Sequence, residues 1–195
     1  LGLVYYYKND LTKAKEYLNR SLELREQINH KIGIAITLHN IGLVYDAEKN
    51  FEKAQEYYER GLKITEEVGD KKNMAYSYAA LGRFYMEHQQ NKKALELAKK
   101  SMMLSKEIGY PETIDRGATL LSEVHEARQE WSQALDMYKL HIQMRDSINN
   151  SETQKATAKQ QAKYEYEKQK AIDDAEHEKQ LAIEQEAKEK QQILT

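Results

Sequence analysis

Shifted by 40 residues, the sequence falls back onto itself, and no other feature restricts the possible folds so strongly. Leu1, Ile41, Leu81 and Leu121 coincide, then Gly2, Gly42, Gly82 and Ser122, then Tyr5, Tyr45, Tyr85 and His125. Further along, Ala14, Ala54, Ala94 and Ala134 align, as do Leu22, Leu62, Met102 and Ile142, and finally Ile28, Val68, Ile108 and Ile148. Such a unit cannot bury its apolar face alone, so at least about three copies must stack, and four are present.

Within a unit the apolar spacing is helical twice over: Ile34, Leu38, Ile41, Gly42 and Tyr45, then Phe51, Ala54, Tyr58, Gly61 and Leu62. Each unit is therefore a helix pair. Inner breaks fall at Asn9-Asp10, Lys49-Asn50, Gln90-Asn91 and Gln129-Glu130, polar stretches short enough to join antiparallel helices. The outer breaks are expected at Asn29, Gly69, Gly109 and Asn149, the residue types that most readily end a helix in the left-handed conformation. Pro111 follows one of these stops, where a first-turn proline loses no hydrogen bond. The small residues at 42, 54, 82 and 94 let paired helices approach closely, Tyr45 and Tyr85 lie between the helices of a pair, and Leu62 and Met102 reach toward the next unit. Trp131 occupies the position of Leu11 and Phe51, which predicts a core or inter-helix contact.

The sequence Leu-Gly-x-x-Tyr, a gap, then Ala, a bulky residue and a small one resembles the tetratricopeptide repeat in a variant with a 40-residue period, from residue 1 to about 148. The expected fold is all-α: an α-solenoid of helix pairs over residues 1–150, with units 1–29 (truncated), 30–69, 70–109 and 110–149, followed by one long C-terminal helix. Asn91 and Ala98 replace large residues of the family pattern, and His125 and His141 replace its usual Tyr and small residue, so packing in units three and four departs most from that pattern.

Residues 151–195 hold no Gly or Pro but an unbroken supply of Lys, Glu, Gln and Ala, which reads as one helix of about 67 Å. Its first turns are expected to cap the array. Beyond them Ala171-Ile172, Ala182-Ile183 and Ile193-Leu194 recur every 11 residues, with Tyr164 and Ala175 on the same spacing, the pattern of a nearly straight coiled coil. A homodimer through 151–195 is one reading; a solvated single helix, with ten acidic and eight basic side chains, is the other. The stretch from Ala162 to Lys170, continuing through Asp174 to Lys179, resembles the connector that follows tetratricopeptide repeats in bacterial membrane-anchored sensors, ahead of a transmembrane helix and a histidine kinase or DNA-binding domain. That resemblance implies the sensor part of such a protein. The pattern already under way at Leu1, and the lack of a helix stop before Thr195, predict a fragment of a longer chain.

Composition excludes several classes. Thirty basic against thirty-two acidic residues leave no cationic excess for a row of phosphates, so no nucleic-acid partner is expected in this segment. With no Cys there is no disulfide framework, thiolate nucleophile or thiolate zinc site. No apolar run approaches the roughly 18 residues that cross a bilayer, so a membrane enters only through a segment after Thr195. No phosphate loop, His-Glu-x-x-His pair or nucleophile elbow occurs, and neither a catalytic residue, a cofactor nor a metal site is predicted; a kinase domain would have to follow Thr195. His125 and His141 read as packing residues, with no carboxylate partner specified by their spacing.

A surface remains. By family position the concave face should include Tyr6, Tyr7, Ile36, His39, Leu43, Asp46, Tyr76, Arg83, Met86, Arg116 and Glu123. Its Tyr, Met and Arg suit a protein or peptide partner, unless Tyr6, Tyr7 and Tyr76 simply pack on neighbours. Relatives that clamp a carboxylate terminus use Lys and Asn on this face; Lys is missing from these positions, which disfavours a chaperone-tail receptor. The expected function is a non-enzymatic protein–protein interaction scaffold serving as the sensor region of a bacterial signal-transduction protein, the alternative being a soluble assembly adaptor. The first implies an extracytoplasmic, periplasmic location, the second a cytoplasmic one.

Overall fold

In the computed structural model the described residues, 1–193 for the backbone and side chains up to His177 apart from some in 153–175, form eight helices and no strand. The helices are α1 (Gly2–Tyr7), α2 (Leu11–Gln27), α3 (Lys31–Ala47), α4 (Phe51–Val68), α5 (Lys71–Glu87), α6 (Asn91–Ile108), α7 (Pro111–Ala127) and α8 (Trp131–Ile193). The chain divides into two compact units, Leu1–Ile148 and Asn149–Thr195. Within the first, α1, α3, α5 and α7 each precede a partner helix, and the pairs stack as an all-α solenoid. The 11-residue spacing through Tyr164, Ala171, Ala175 and Ile183 falls on side chains outside the described residues. No described helix is long and apolar enough to cross a membrane.

The turns explain the period. Asn9, Lys49, Gln89 and Gln129 each take a positive φ of 60°. That conformation points the next backbone N–H back into the helix just ended: Asp10, Asn50, Gln90 and Glu130 donate to the carbonyls of Tyr5, Tyr45, Tyr85 and His125 at 2.8–2.9 Å. A three-residue reversal results in every unit, and the satisfied carbonyl offsets the strain of a left-handed Lys or Gln. Three of the next helices then start on a side-chain cap, Asp10, Asn50 and Asp70 accepting from the backbone N–H of Lys13, Lys53 and Asn73. Between units, Asn29, Gly69 and Gly109 are left-handed as expected (φ 51°, 73° and 71°), and Pro111 opens α7. The break expected at Asn149 is absent, since α8 is helical from Trp131 to Ile193. One Asn cannot stop a helix when strong helix formers follow it and neither Gly nor Pro does.

Packing follows the repeated columns. Ala14, Ala54 and Ala94 are wholly buried, with Ile41, Leu81 and Leu121 beside them. A Cβ on Gly42 would come within about 3.1 Å of the Tyr58 ring, and one on Gly82 within 2.9 Å of Leu120 and 3.3 Å of Leu97, so larger residues there would push helices apart. Tyr5 stacks on Tyr17 and Tyr45 on Tyr57 across their helix pairs. The Met102 side chain lies against Gly117 of the next unit.

Unit four departs from the expectation. Trp131 is 63% exposed, Leu135 52% and Tyr138 53%, so Trp131 is not a core residue. Its counterpart Phe51 packs on the His88 ring of the following unit, with centroids 4.2 Å apart; Trp131 has no such ring among the described residues.

Candidate partner-binding cleft

The first helices of the four units line a cleft of about 370 Å³, which runs into a second of about 270 Å³. Tyr6 and Tyr7 enter from α1, His39, Leu43 and Asp46 from α3, Arg83 from α5 and Arg116 from α7. Ile36 and Tyr76 line the second cleft, and His39, Ala80 and Arg116 are common to both. Nine of the eleven positions expected from the sequence thus share one surface. The other two lie beside it: Glu123 binds Arg83 at 2.7 Å, and Met86 packs on the core. The aromatics are split in role. Tyr7 is 80% exposed, whereas Tyr76 is half-buried beneath the Arg116 guanidinium, 5.0 Å from its ring centre.

Other wall residues were not anticipated, namely Leu3, Asn40, Tyr58, Asn73, Ser77, Ala79, Ala80 and Glu87. The 40-residue offset could have found some of them, because Asn40, Ala80 and Leu120 occupy one column of successive first helices. The same offset relates Arg83 to Glu123 and Tyr76 to Arg116, both of which are in contact.

His39 occupies the floor, tilted against Tyr58 with ring centroids 5.1 Å apart. Burial, seconded by the charge of Arg116, pulls its pKa down to about 4, so the ring is neutral near pH 7. Its one ring or hydrogen-bonding contact with another side chain among the described residues is with Tyr58, and no buried side-chain nitrogen or oxygen among them lacks a hydrogen-bond partner. The ring nitrogens of His39 therefore open into the cleft, offering one donor and one acceptor. At the far end Asp46 receives His88 Nε2 at 2.8 Å. Glu87 stands nearby, its carboxyl pushed above the usual range first by burial and then by the charge of Asp46. Burial and Asp46 likewise raise the Tyr6 hydroxyl.

The histidines of unit four correct the sequence reading, because each does have a carboxylate partner. His125 Nδ1 meets Glu130 at 2.6 Å, and His141 Nδ1 meets Asp115 at 2.7 Å and Thr119 Oγ1 at 3.0 Å. The first pair closes the turn and the second ties α8 to α7. Among the described residues no three of His, Asp and Glu gather as metal ligands.

The profile of the tetratricopeptide repeat matches residues 1–67 and 33–107, more than half the chain. The chain belongs to the tetratricopeptide repeat family. Membership implies a protein–protein interaction scaffold, a fold that is generally non-catalytic. No curated protein matches the sequence significantly. Among solved structures, BtubC (BKLC) from P. vanneervenii superposes with a TM-score of 0.65 at 18% identity, over 76% of this chain and 62% of that one. The tetratricopeptide-repeat chain thus spans about three-fifths of the length of that relative. Nearly identical TPR-like repeats of a Podospora anserina kinesin-light-chain candidate give a TM-score of 0.50 at 13% identity, over 76% and 93% of the two chains. At these identities the likeness concerns the fold.

Proposed function

We propose that this chain is a non-enzymatic scaffold which takes a segment of a partner protein into the cleft between its first helices, and that it forms the partner-binding, sensor part of a bacterial signal-transduction protein. One observation carries the binding reading: four separate helices bring aromatic, ionic and unpaired imidazole groups to a single concavity with His39 at its floor. Core packing alone gives no reason for a half-buried histidine to be left without a partner. The resemblance of residues 162–179 to sensor connectors supports the signalling part.

The test is site-specific photo-crosslinking in the intact protein in its native cell. A photoreactive residue at Ala80 should capture a partner that the same residue at exposed Lys63 does not. Equal capture at both sites, or none at Ala80, would overturn the cleft. Replacing Tyr76 and Arg83 together should reduce the signalling output; an unchanged output would remove the sensor role and leave the scaffold.

A further inference from the structure

The second helix of each unit turns one stripe toward the unit that follows, as the contacts of Phe51 with His88, Tyr58 with Phe84 and Met102 with Gly117 show. The stripe has four positions, spaced by 4, 3 and 4 residues, which is the spacing of a helix–helix seam. In α2, α4 and α6 each set includes one charged or amide side chain: Lys15, Gln55 and Asn91. In α8 the same positions hold Trp131, Leu135, Tyr138 and Ile142, and no such residue. Trp131, Leu135 and Tyr138 each keep more than half of their surface in solvent. An outermost repeat normally needs a polar outer face to stay soluble; this end face is instead the most apolar of the four.

The chain itself shows what fits such a stripe. The helices that cover it, α3, α5 and α7, each follow α2, α4 and α6 through a short turn and so run antiparallel to them. A second copy of α8 laid antiparallel on the stripe repeats that arrangement. Trp131 then meets Ile142 of the second copy and Leu135 meets Tyr138, each contact made twice about a two-fold axis. Both layers set an aromatic ring against a branched aliphatic side chain. A parallel pair would stack every residue on itself, and would bring Arg145, the next position of the stripe, against its own copy even with Asp146 at 3.3 Å beside it. The three exposed side chains offer roughly 350 Å² per copy, less than half of the about 800 Å² per partner in a standard interface, so the pairing is weak.

We infer that two copies of this chain pair through the end face of unit four, the first three turns of α8 packing antiparallel on the same turns of the second copy. The inference goes beyond the cleft reading and does not depend on it, because no α8 residue lines either cleft. A pair presents two clefts, so a partner with two binding segments is held by both.

Sedimentation velocity of the full chain, from about 1 to about 500 μM, should show monomer passing to dimer with a midpoint on the order of tens of micromolar. Leu135→Glu, at an exposed position where circular dichroism should show the helix retained, should raise that midpoint at least about tenfold. Orientation is read with single cysteines, since the chain has none of its own. Two copies of position 131, or of position 142, lie about 16 Å apart along an antiparallel seam, too far for a disulfide. On oxidation at about 500 μM, Trp131→Cys and Ile142→Cys should therefore each stay monomeric alone and give a covalent dimer when mixed. A monomer at every concentration would overturn the inference. So would a dimer that Leu135→Glu leaves intact, which would place the pairing in residues 151–195. A cysteine variant that links to itself, or a mixture without a covalent product, would overturn the antiparallel seam and with it the inference. Crosslinking at Ala80 decides the cleft reading separately.

Discussion

Unit two and unit four carry the same pattern, yet it is buried in one and exposed in the other. Tyr58 of α4 is 4% exposed; its counterpart Tyr138 of α8 is 53% exposed. Leu18 and Ala98, in the same column, are 6% and 0% exposed. The difference is in the neighbour, not in the residue: Tyr58 lies under Phe84 of the following unit, and among the described residues no aromatic ring of a further unit lies over Tyr138. Burial in a stack is a property of interfaces between units, which the units only make available.

The strongest way to break this comparison is to cut into an interface. Leu120 is fully buried and meets α5 at Gly82, so Leu120→Ala should cost about 2–5 kcal/mol in denaturant unfolding. A loss below about 1 kcal/mol would mean that units three and four are loosely joined. Acid provides the next test. His39 titrates near 4 in the fold against about 6.5 unfolded, so the unfolded chain binds a proton that the native one refuses. Stability should be complete above pH 6.5 and fall, by at most roughly 3 kcal/mol, as the pH drops toward 4. Unfolding curves of His39→Phe should be flatter over that interval; an identical slope would show that the ring is hydrated.

Ala98→Tyr, which copies Tyr58 into the third unit, should destabilise by about 1–3 kcal/mol, because that site is already filled. A neutral result would show that the column adapts to size. Removing the α5 cap with Asp70→Ala should cost about 1 kcal/mol, read from the same unfolding curves. The smallest effect is expected where the column is exposed: Tyr138→Ala should remain within about 0.5 kcal/mol. A larger loss would mean that something covers unit four in solution, and its dependence on protein concentration would tell whether that is a second copy.

The same distinction separates what was legible in the sequence from what was not. Helix pairs, core alanines and close-packed glycines repeat at one offset and could be read directly, as could the first-helix face that supplies Tyr6, His39, Arg83 and Arg116. Trp131 and Asn149 were misread because the reading assumed a neighbour and a stop that a repeat would supply; the columns stayed the same while the surroundings changed. The neutral state of His39 depends on its burial and on Arg116, which lies two units further on at an offset of 77 residues, and the Asp46–His88 bond spans 42 residues, two off the repeat. Offsets that miss the period are invisible to a search for the period.

That bond also has a consequence for how the chain folds. Among the described residues, no side-chain hydrogen bond joins positions further apart than these 42. Among the described residues, these hydrogen bonds therefore close no loop much longer than one repeat, which limits the entropy cost of each such closure. Any adjacent pair of units can serve as the nucleus, growth can proceed from it in either direction, and lengthening the array should leave the folding rate nearly unchanged.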